Sequence, residues 1–249
     1  MAVVLKSAGE IEKMRRAGEV VREVLELVRG LAKPGATTMD LEMAAEARTN
    51  KLGAKPAFKG YHGFPCVLCT SINREVVHGI PSPKRVLKEG EIVSVDYGAF
   101  VDGYCGDAAI TIPVGKIDPE AARLLKVTEA SLNAAIEVVK PGATLGDVGF
   151  AVQKVVEAAG FSVVRDFVGH GIGIHMHEDP QVPNFGVAGQ GMKLRAGMVI
   201  AIEPMVNAGK HDIVVLGDGW TAVTADGSMS AHFEHTVAVT ATGARILTE

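Results

Sequence analysis

The string KPGAT occurs twice in this chain, at Lys33 to Thr37 and at Lys140 to Thr144, and the 107-residue shift between the copies recurs well beyond it. Asp40 falls on Asp147, Gly53 on Gly160, Leu87 on Leu194, Gly90 on Gly197 and Asp96 on Glu203. One register held this far marks a duplicated supersecondary unit. The period is too long for a solenoid. The chain is therefore expected to form two related α+β halves, about 1–115 and 116–249, around one pseudo-two-fold axis within a single domain over 1–249.

Each half reads helix, Lys-Pro-Gly stop, helix, strands. Ile11, Met14, Val21, Val24, Leu25, Val28 and Leu31 recur at helical spacing until Pro34 and Gly35 end the run. A second helix is predicted from near Thr38 to Gly53. In the other half Asp118 is a natural N-cap before Pro119, Leu125, Leu132 and Ile136 continue the pattern to Pro141, and a helix from Leu145 toward Gly160 follows. Strands are expected at 91–98, 197–204 and 230–240, and FPCVLC (64–69) also reads as strand. Without strict βαβ alternation, the sheet should be mainly antiparallel and covered by helices.

Charge and cysteine usage narrow the class. Lys and Arg total 25 against 29 acids, for a net charge of -4, so no broad basic surface exists to make nucleic acid a principal partner. The opening residues carry charges and no signal-length apolar run, and no stretch reaches ~18 apolar residues, so a cytoplasmic protein without a membrane partner is expected. The odd count of three cysteines suits a reducing compartment. Cys66 and Cys69 form a C-x-x-C, but no helix opens there for redox work and no second pair exists for zinc. They read as buried or pocket-lining thiols.

The acids carry the chemistry. Asp96 closes IVSVD, Asp107 opens an apolar run, Glu203 closes VIAIE and Glu234 interrupts HFEHTVAV. A strand-ending acid taken alone is as readily a solvated or Arg-paired group. Under the repeat, however, Asp96 and Glu203 occupy equivalent strand ends, which a two-fold axis would bring together. Buried carboxylates in one cleft require cations. Oxygen donors with one imidazole, for which His170 in VGHGIGIHMHEDP is the candidate, suit Mn, Fe, Co or Zn, and carboxylates can bridge two such ions. His175 and His177 alternate with Ile174 and Met176 and would share one face of a strand. His78 and His177 are taken as functional by position, whereas His62, His175, His211, His232 and His235 are read as structural. H-E-x-x-H, G-x-S-x-G and the P-loop pattern are absent, and Gly169, Gly171 and Gly173 read as permitting close backbone approach beside a ligand.

Taken together, PAFKGYHGFP, SINREVVHGIP, VDYGAFVDGYCGD, GHGIGIHMHEDP, IAIEP and FEHT closely resemble the bacterial type I methionine aminopeptidases. The resemblance implies the pita-bread fold, in agreement with the repeat. It implies two divalent metal ions, with Asp96 bidentate on one, Asp107 and Glu234 as bridges, and His170 with Glu203 completing the other. It also implies that His78 and His177 contact the scissile peptide and its neighbour, and that Phe58, Tyr61, Phe64, Cys69 and Trp220 line a methionine pocket. Asn73 and Ser230 resemble positions that hold an auxiliary monovalent cation in some relatives. The substrate would be the initiator methionine of nascent chains whose second residue is small, with the ribosome as a further partner and a monomer as the working form. As a mechanistic expectation, Glu203 takes the proton of the attacking water and His177 donates to the tetrahedral oxygen.

Phe64 and Met176 depart from the commonest pattern, where an aromatic or Tyr is frequent, yet both stay large and apolar. The type assignment rests on the absence of a second-half helical insertion and of an N-terminal extension. Two other readings remain open: a dipeptidase or Xaa-Pro aminopeptidase on the same fold, disfavoured because no domain precedes the first repeat, and a non-catalytic binding protein, disfavoured because all five ligands are present.

Overall fold

The computed structural model describes residues 3–249; residues 1 and 2, which open the expected first half, lie outside the described residues. Among the described residues four α-helices form, α1 (Ala8–Leu31), α2 (Thr38–Lys51), α3 (Pro119–Val138) and α4 (Leu145–Ala158). Helices α2 and α4 are both 14 residues long and begin and end at the 107-residue shift. Each opens on a capping box: Thr37 and Thr144 accept the amides of Asp40 and Asp147, whose carboxylates take the Thr amides in return. The repeated KPGAT is thus a helix stop followed by a helix start. Asp118 caps α3 with Pro119 in the first turn, as expected, and Ser7 with Glu10 makes a further capping box at α1.

The strands of the first half are β1 (Lys55–Pro56), β2 (Cys69–Ile72), β3 (Glu75–Val77), β4 (Ile92–Val101) and β5 (Tyr104–Pro113). The second half contributes β6 (Ser162–Val163), β7 (Gly169–Gly171), β8 (Glu178–Val182), β9 (Val199–Ile202), β10 (Met205–Asn207), β11 (Ile213–Val215), β12 (Ala222–Thr224), β13 (Ser230–His232), β14 (Glu234–Val239) and β15 (Ala244–Ile246). A nine-stranded sheet runs in the order β1-β4-β5-β14-β9-β7-β8, with β2 beside β4 and β15 beside β14, and its pairings are antiparallel. Two small sheets, β13-β10-β6 and β11-β12-β3, complete the fold.

Each half buries its own apolar face. Val21, Val24 and Val28 of α1 and Leu41 of α2 pack with Val93, Val95 and Tyr97 of β4. Leu124 and Leu132 of α3 and Val148 and Val152 of α4 pack with Ile200 and Val237. Ile110 touches both clusters, so the cores meet at the middle of the large sheet. Burial of such side chains at about 2 kcal/mol each holds the helices on the sheet.

The halves differ in how their central strands connect. Asp102 and Gly103, with φ of 50° and 80°, turn β4 directly into β5, the hairpin geometry that matches strand twist. Their counterparts β9 and β14 are separated by residues 203–233, which form β10 to β13.

Strands β5 and β14 meet with Ala109 opposite Glu234 and Ala108 opposite His235. On either side of these rungs a threonine hydroxyl takes over from the ladder. Thr236 Oγ1 accepts from the Asp107 amide at 3.0 Å and donates to its carbonyl at 2.8 Å. Thr111 Oγ1 likewise accepts from the His232 amide at 2.9 Å and donates to its carbonyl at 2.8 Å. From Thr111 to Thr236 and from Asp107 to His232 the shift is 125 residues, 18 more than the 107 of the repeat. The two-fold relation therefore continues across the centre, with the excess length in the β9 to β14 excursion.

Three local expectations are corrected. Residues 230–240 are not one strand: β13 ends at His232, β14 starts at Glu234, and the two lie in different sheets. The His232 backbone is taken by Thr111 at the break. FPCVLC is strand only from Cys69, because the Val67 and Leu68 amides donate to the buried Glu42 carboxylate at 2.7 and 2.9 Å. The segment carrying His175 and His177 is a bent loop before β8, not a strand. Among the described residues no helix is long and apolar enough to cross a membrane.

Candidate active site

The large sheet carries every acid singled out in the sequence to one place. Asp96 lies on β4 opposite Ala109 of β5, and Ala109 in turn faces Glu234, the first residue of β14. Asp107 lies on β5, and Glu203 follows the last residue of β9. His170 is the middle of β7, between two glycines whose role is steric. A Cβ on Gly169 would stand 2.3 Å from the Ala201 carbonyl oxygen, and one on Gly171 would stand 2.2 Å from that of Asp179. Only glycines let β7 lie this close to its neighbours and present the imidazole inward.

Donor atoms of Asp107, His170 and Glu234 all lie within 4.8 Å of one another. Glu203 Oε1 is 3.6 Å from His170 Nε2. His170 Nδ1 faces the Gly171 carbonyl at 2.9 Å, so that nitrogen carries the proton and Nε2 offers a lone pair to the acids. Asn184 donates to the Glu203 backbone carbonyl at 3.0 Å and fixes the residue from behind.

The electrostatics are those of a site built for positive charge. Burial pushes the Asp107 carboxyl up to about 7. Burial first, then repulsion from their acidic neighbours, drives Asp96, Glu203 and Glu234 well above the ordinary carboxylate range. Burial, with His177 nearby, lowers His170 to about 3. The cavity lining contains neither Lys nor Arg. Asp96 Oδ1, Asp107 Oδ1 and Glu234 Oε1 are buried with no hydrogen-bond partner among the described residues. Orphaned carboxylate oxygens are expensive. The donor set, hard oxygens around one imidazole, fits divalent cations and so meets the expectation of a metal site.

These groups line a cavity of about 260 Å³. Phe58, Tyr61, Phe64, Cys69 and Trp220 line it together with His78 and His177, so every pocket residue expected from the sequence is present there. Phe64 and Trp220 meet edge to face, with ring centroids 5.1 Å apart. The Tyr61 hydroxyl bonds His177 Nδ1 at 2.8 Å, and the His177 ring lies 4.3 Å from that of His170. The loop bearing His177 is pinned by Glu178, which accepts the His175 amide at 3.1 Å and forms a buried ion pair with Lys6. His78 follows β3 in the left-handed region (φ 61°), its ring 5.3 Å from Phe167, and burial lowers its imidazole to about 4.

Burial and hydrogen bonding describe several further positions. Cys66, Cys69 and Cys105 are free and buried, and burial pushes Cys66 up to about 11 and the other two well up, so the thiols stay protonated as pocket and core groups. Asn73 and Ser230 do meet: the Ser230 amide donates to the Asn73 carbonyl at 2.8 Å. Their side-chain oxygens are engaged with Ile92 and Val206.

Two histidines read as structural lie at the site. His62 lines the cavity with φ at 48°. His232 is buried with Nε2 3.7 Å from Glu203 Oε2. Nothing in the sequence distinguishes His62. For His232 the signal was its place 125 residues after Asp107, legible only once the second shift is known. His235, read as structural, has Nδ1 2.8 Å from the Thr248 hydroxyl.

Comparison with known proteins agrees with this geometry. The model of metallopeptidase family M24 matches residues 12–241. The chain belongs to metallopeptidase family M24. A methionine aminopeptidase of Clostridium acetobutylicum is 52% identical over 246 residues, covering 99% of this chain and 98% of that protein. The crystal structure of methionine aminopeptidase from Thermotoga maritima superposes with a TM-score of 0.98 at 51% identity, with each chain covered in full. The prolidase from Pyrococcus horikoshii shares the fold (TM-score 0.78, 23% identity) over 99% of this chain and 63% of its own. This M24 chain thus has the pita-bread α+β fold that the resemblance implied.

Proposed function

We infer that this chain is a methionine aminopeptidase, a metal-dependent hydrolase that releases the N-terminal methionine of a peptide. The observation that carries this reading is a single cavity lined both by carboxylates with His170 and by Phe58, Phe64, Met176 and Trp220. The acids and imidazole suit peptide hydrolysis, and the apolar side chains suit a flexible thioether.

Asp96, Asp107, His170, Glu203 and Glu234 are proposed to hold two divalent ions of the Co, Mn, Fe or Zn type. Bound ions would polarise the scissile carbonyl and acidify water. The remaining work belongs to the chain's own groups. Glu203 is proposed to take the proton of the attacking water and pass it to the leaving amine. His177, oriented by the Tyr61 hydroxyl, donates to the oxygen that gains charge in the transition state. His78, on the same cavity, faces the second residue of the substrate and favours a small side chain there. We further propose that residues 1–249 are one catalytic domain, that its substrates are N termini of nascent polypeptides, and that it works in the cytoplasm.

The test is methionine release from a Met-Ala peptide beside Met-Leu and Ala-Pro peptides, with chelator-stripped protein refilled with Mn, Fe or Co. Metal-restored cleavage of Met-Ala alone is expected. Cleavage of Ala-Pro alone would move the chain to the prolidase side of its family, and silence with every metal would reject an enzymatic role.

A further inference from the structure

His232 is unusual among the buried polar groups of this molecule. Its side chain is 2% exposed, and its Nε2 is without a hydrogen-bond partner among the described residues. A buried ring nitrogen left unpaired costs roughly 1–3 kcal/mol, so its position needs a reason. The nearest acidic oxygen is Glu203 Oε2, at 3.7 Å, while the other oxygen of the same carboxylate faces His170 Nε2 at 3.6 Å. The Glu203 carboxylate therefore lies between two imidazoles, one on β7 and one at the end of β13.

The backbone of His232 is held as firmly as that of a candidate ligand. Thr111 takes both its amide and its carbonyl, as Thr236 takes both polar groups of Asp107, and the 125-residue shift makes His232 the two-fold mate of Asp107. Opposite His232 in the β13–β10 ladder is Met205, two residues beyond Glu203. The ladder that carries the imidazole thus also continues the chain from Glu203, which fixes one side chain relative to the other.

We propose that His232 is a positioning residue for Glu203: its Nε2–H donates to Oε2 of the carboxylate, which directs Oε1 toward the His170 side of the centre. A movement of about 0.5 Å brings the pair into hydrogen-bonding distance. The role goes beyond the five donors, and rests on the reading of Glu203 as part of a metal-dependent active site. Without the donor, the carboxylate would be free to rotate away from the cleft, weakening metal binding and misplacing the oxygen assigned to proton transfer. Groups of this kind typically contribute 10- to 100-fold in metal affinity or activity.

The experiment compares His232→Gln, which keeps a side-chain N–H donor, with His232→Leu, which keeps bulk but no donor. Mn²⁺ binding to the chelator-stripped protein is followed by calorimetry, the Co²⁺-loaded protein by its visible absorption, and Met-Ala cleavage as separate kcat and KM. His232→Leu should weaken Mn²⁺ binding and lower kcat by about ten-fold, with KM little changed, and His232→Gln should restore most of both. Thermal unfolding of the metal-free variants reports any merely structural role, which would not discriminate Gln from Leu in the binding isotherm. A Leu variant with native metal binding and kcat overturns the proposal, as does a Gln variant no better than Leu. If His232 instead ligates the metal directly, the Co²⁺ spectrum of the Gln variant will differ from that of the native protein, and the positioning role falls. A native chain that binds Mn²⁺ yet leaves Met-Ala intact would reject the aminopeptidase reading, while the isotherms would still test His232.

Discussion

The first half joins its two central strands by the two-residue turn at Asp102 and Gly103, and the second half inserts residues 203–233 between theirs. Several features are shared: α2 and α4 keep one length and one capping box, Asp96 and Glu203 are related by the 107-residue shift, and Thr111 and Thr236 clamp equivalent backbones. The comparison separates two tasks. Five of the cavity's acids and imidazoles, Asp96, Asp107, His170, Glu203 and Glu234, sit at positions related by symmetry or at strands of the shared sheet, whereas much of its apolar lining lies outside those strands. Phe58, Tyr61 and Phe64 lie in the segment between β1 and β2, and Trp220 lies in the excursion. The proposed metal donors follow the duplicated scaffold, and the proposed methionine pocket draws largely on segments outside it.

The largest expected effect tests whether equivalent positions have equivalent roles. Glu203→Gln should lower kcat for a Met-Ala peptide by 10²-fold or more, at any metal concentration, because it removes the assigned proton acceptor. Asp96→Asn, its mate, should lose activity that added Mn²⁺ recovers at least in part. If both variants respond to metal alike, the symmetry extends from position to role, and Glu203 loses its place in proton transfer.

A smaller effect probes the unshared parts. Trp220→Ala should reduce kcat/KM for Met-Ala by about ten-fold, mainly through KM, and leave Mn²⁺ binding by calorimetry unchanged. A weakened isotherm would show that the excursion supports the metal centre as well, and would blur the division of tasks.

The smallest effect concerns the centre of the sheet. Thr236→Val and Thr111→Val each leave a buried amide and carbonyl without a partner and should cost about 2 kcal/mol in chemical denaturation. Thr236→Val should weaken Mn²⁺ binding more than Thr111→Val, because Asp107 faces the cavity directly and His232 acts through Glu203. Equal losses of metal affinity would mean that the two clamps serve the cleft as a unit.

The fold was legible where local chemistry repeats. KPGAT with Asp40 or Asp147 encodes a stop and a capping box, so α2 and α4 could be bounded to within two residues from the shift alone. The acids were legible because a carboxylate at the end of an apolar run conflicts with burial unless something compensates. What escaped depends on contacts distant in sequence. The break at Phe233 exists because Thr111, more than a hundred residues earlier, captures the His232 backbone. FPCVLC fails as a strand because Glu42 reaches its amides from α2. His232 itself was hidden by the 18 residues that put the second register out of step with the first.

Two paired rungs, Ala108 with His235 and Ala109 with Glu234, lie at the seam where the halves meet. In an assembly of two identical chains every substitution at such a seam would appear twice, and an acid placed on one strand would face its own copy across the axis. Tethering the halves in one polypeptide removes that obligation. Position 109 can keep the small Ala that lets the strands approach while its neighbour across the seam carries Glu234, and Asp107 can remain an acid while its mate becomes His232. The seam is therefore a place where two copies of one architecture can specialise independently without giving up the geometry they inherit from each other.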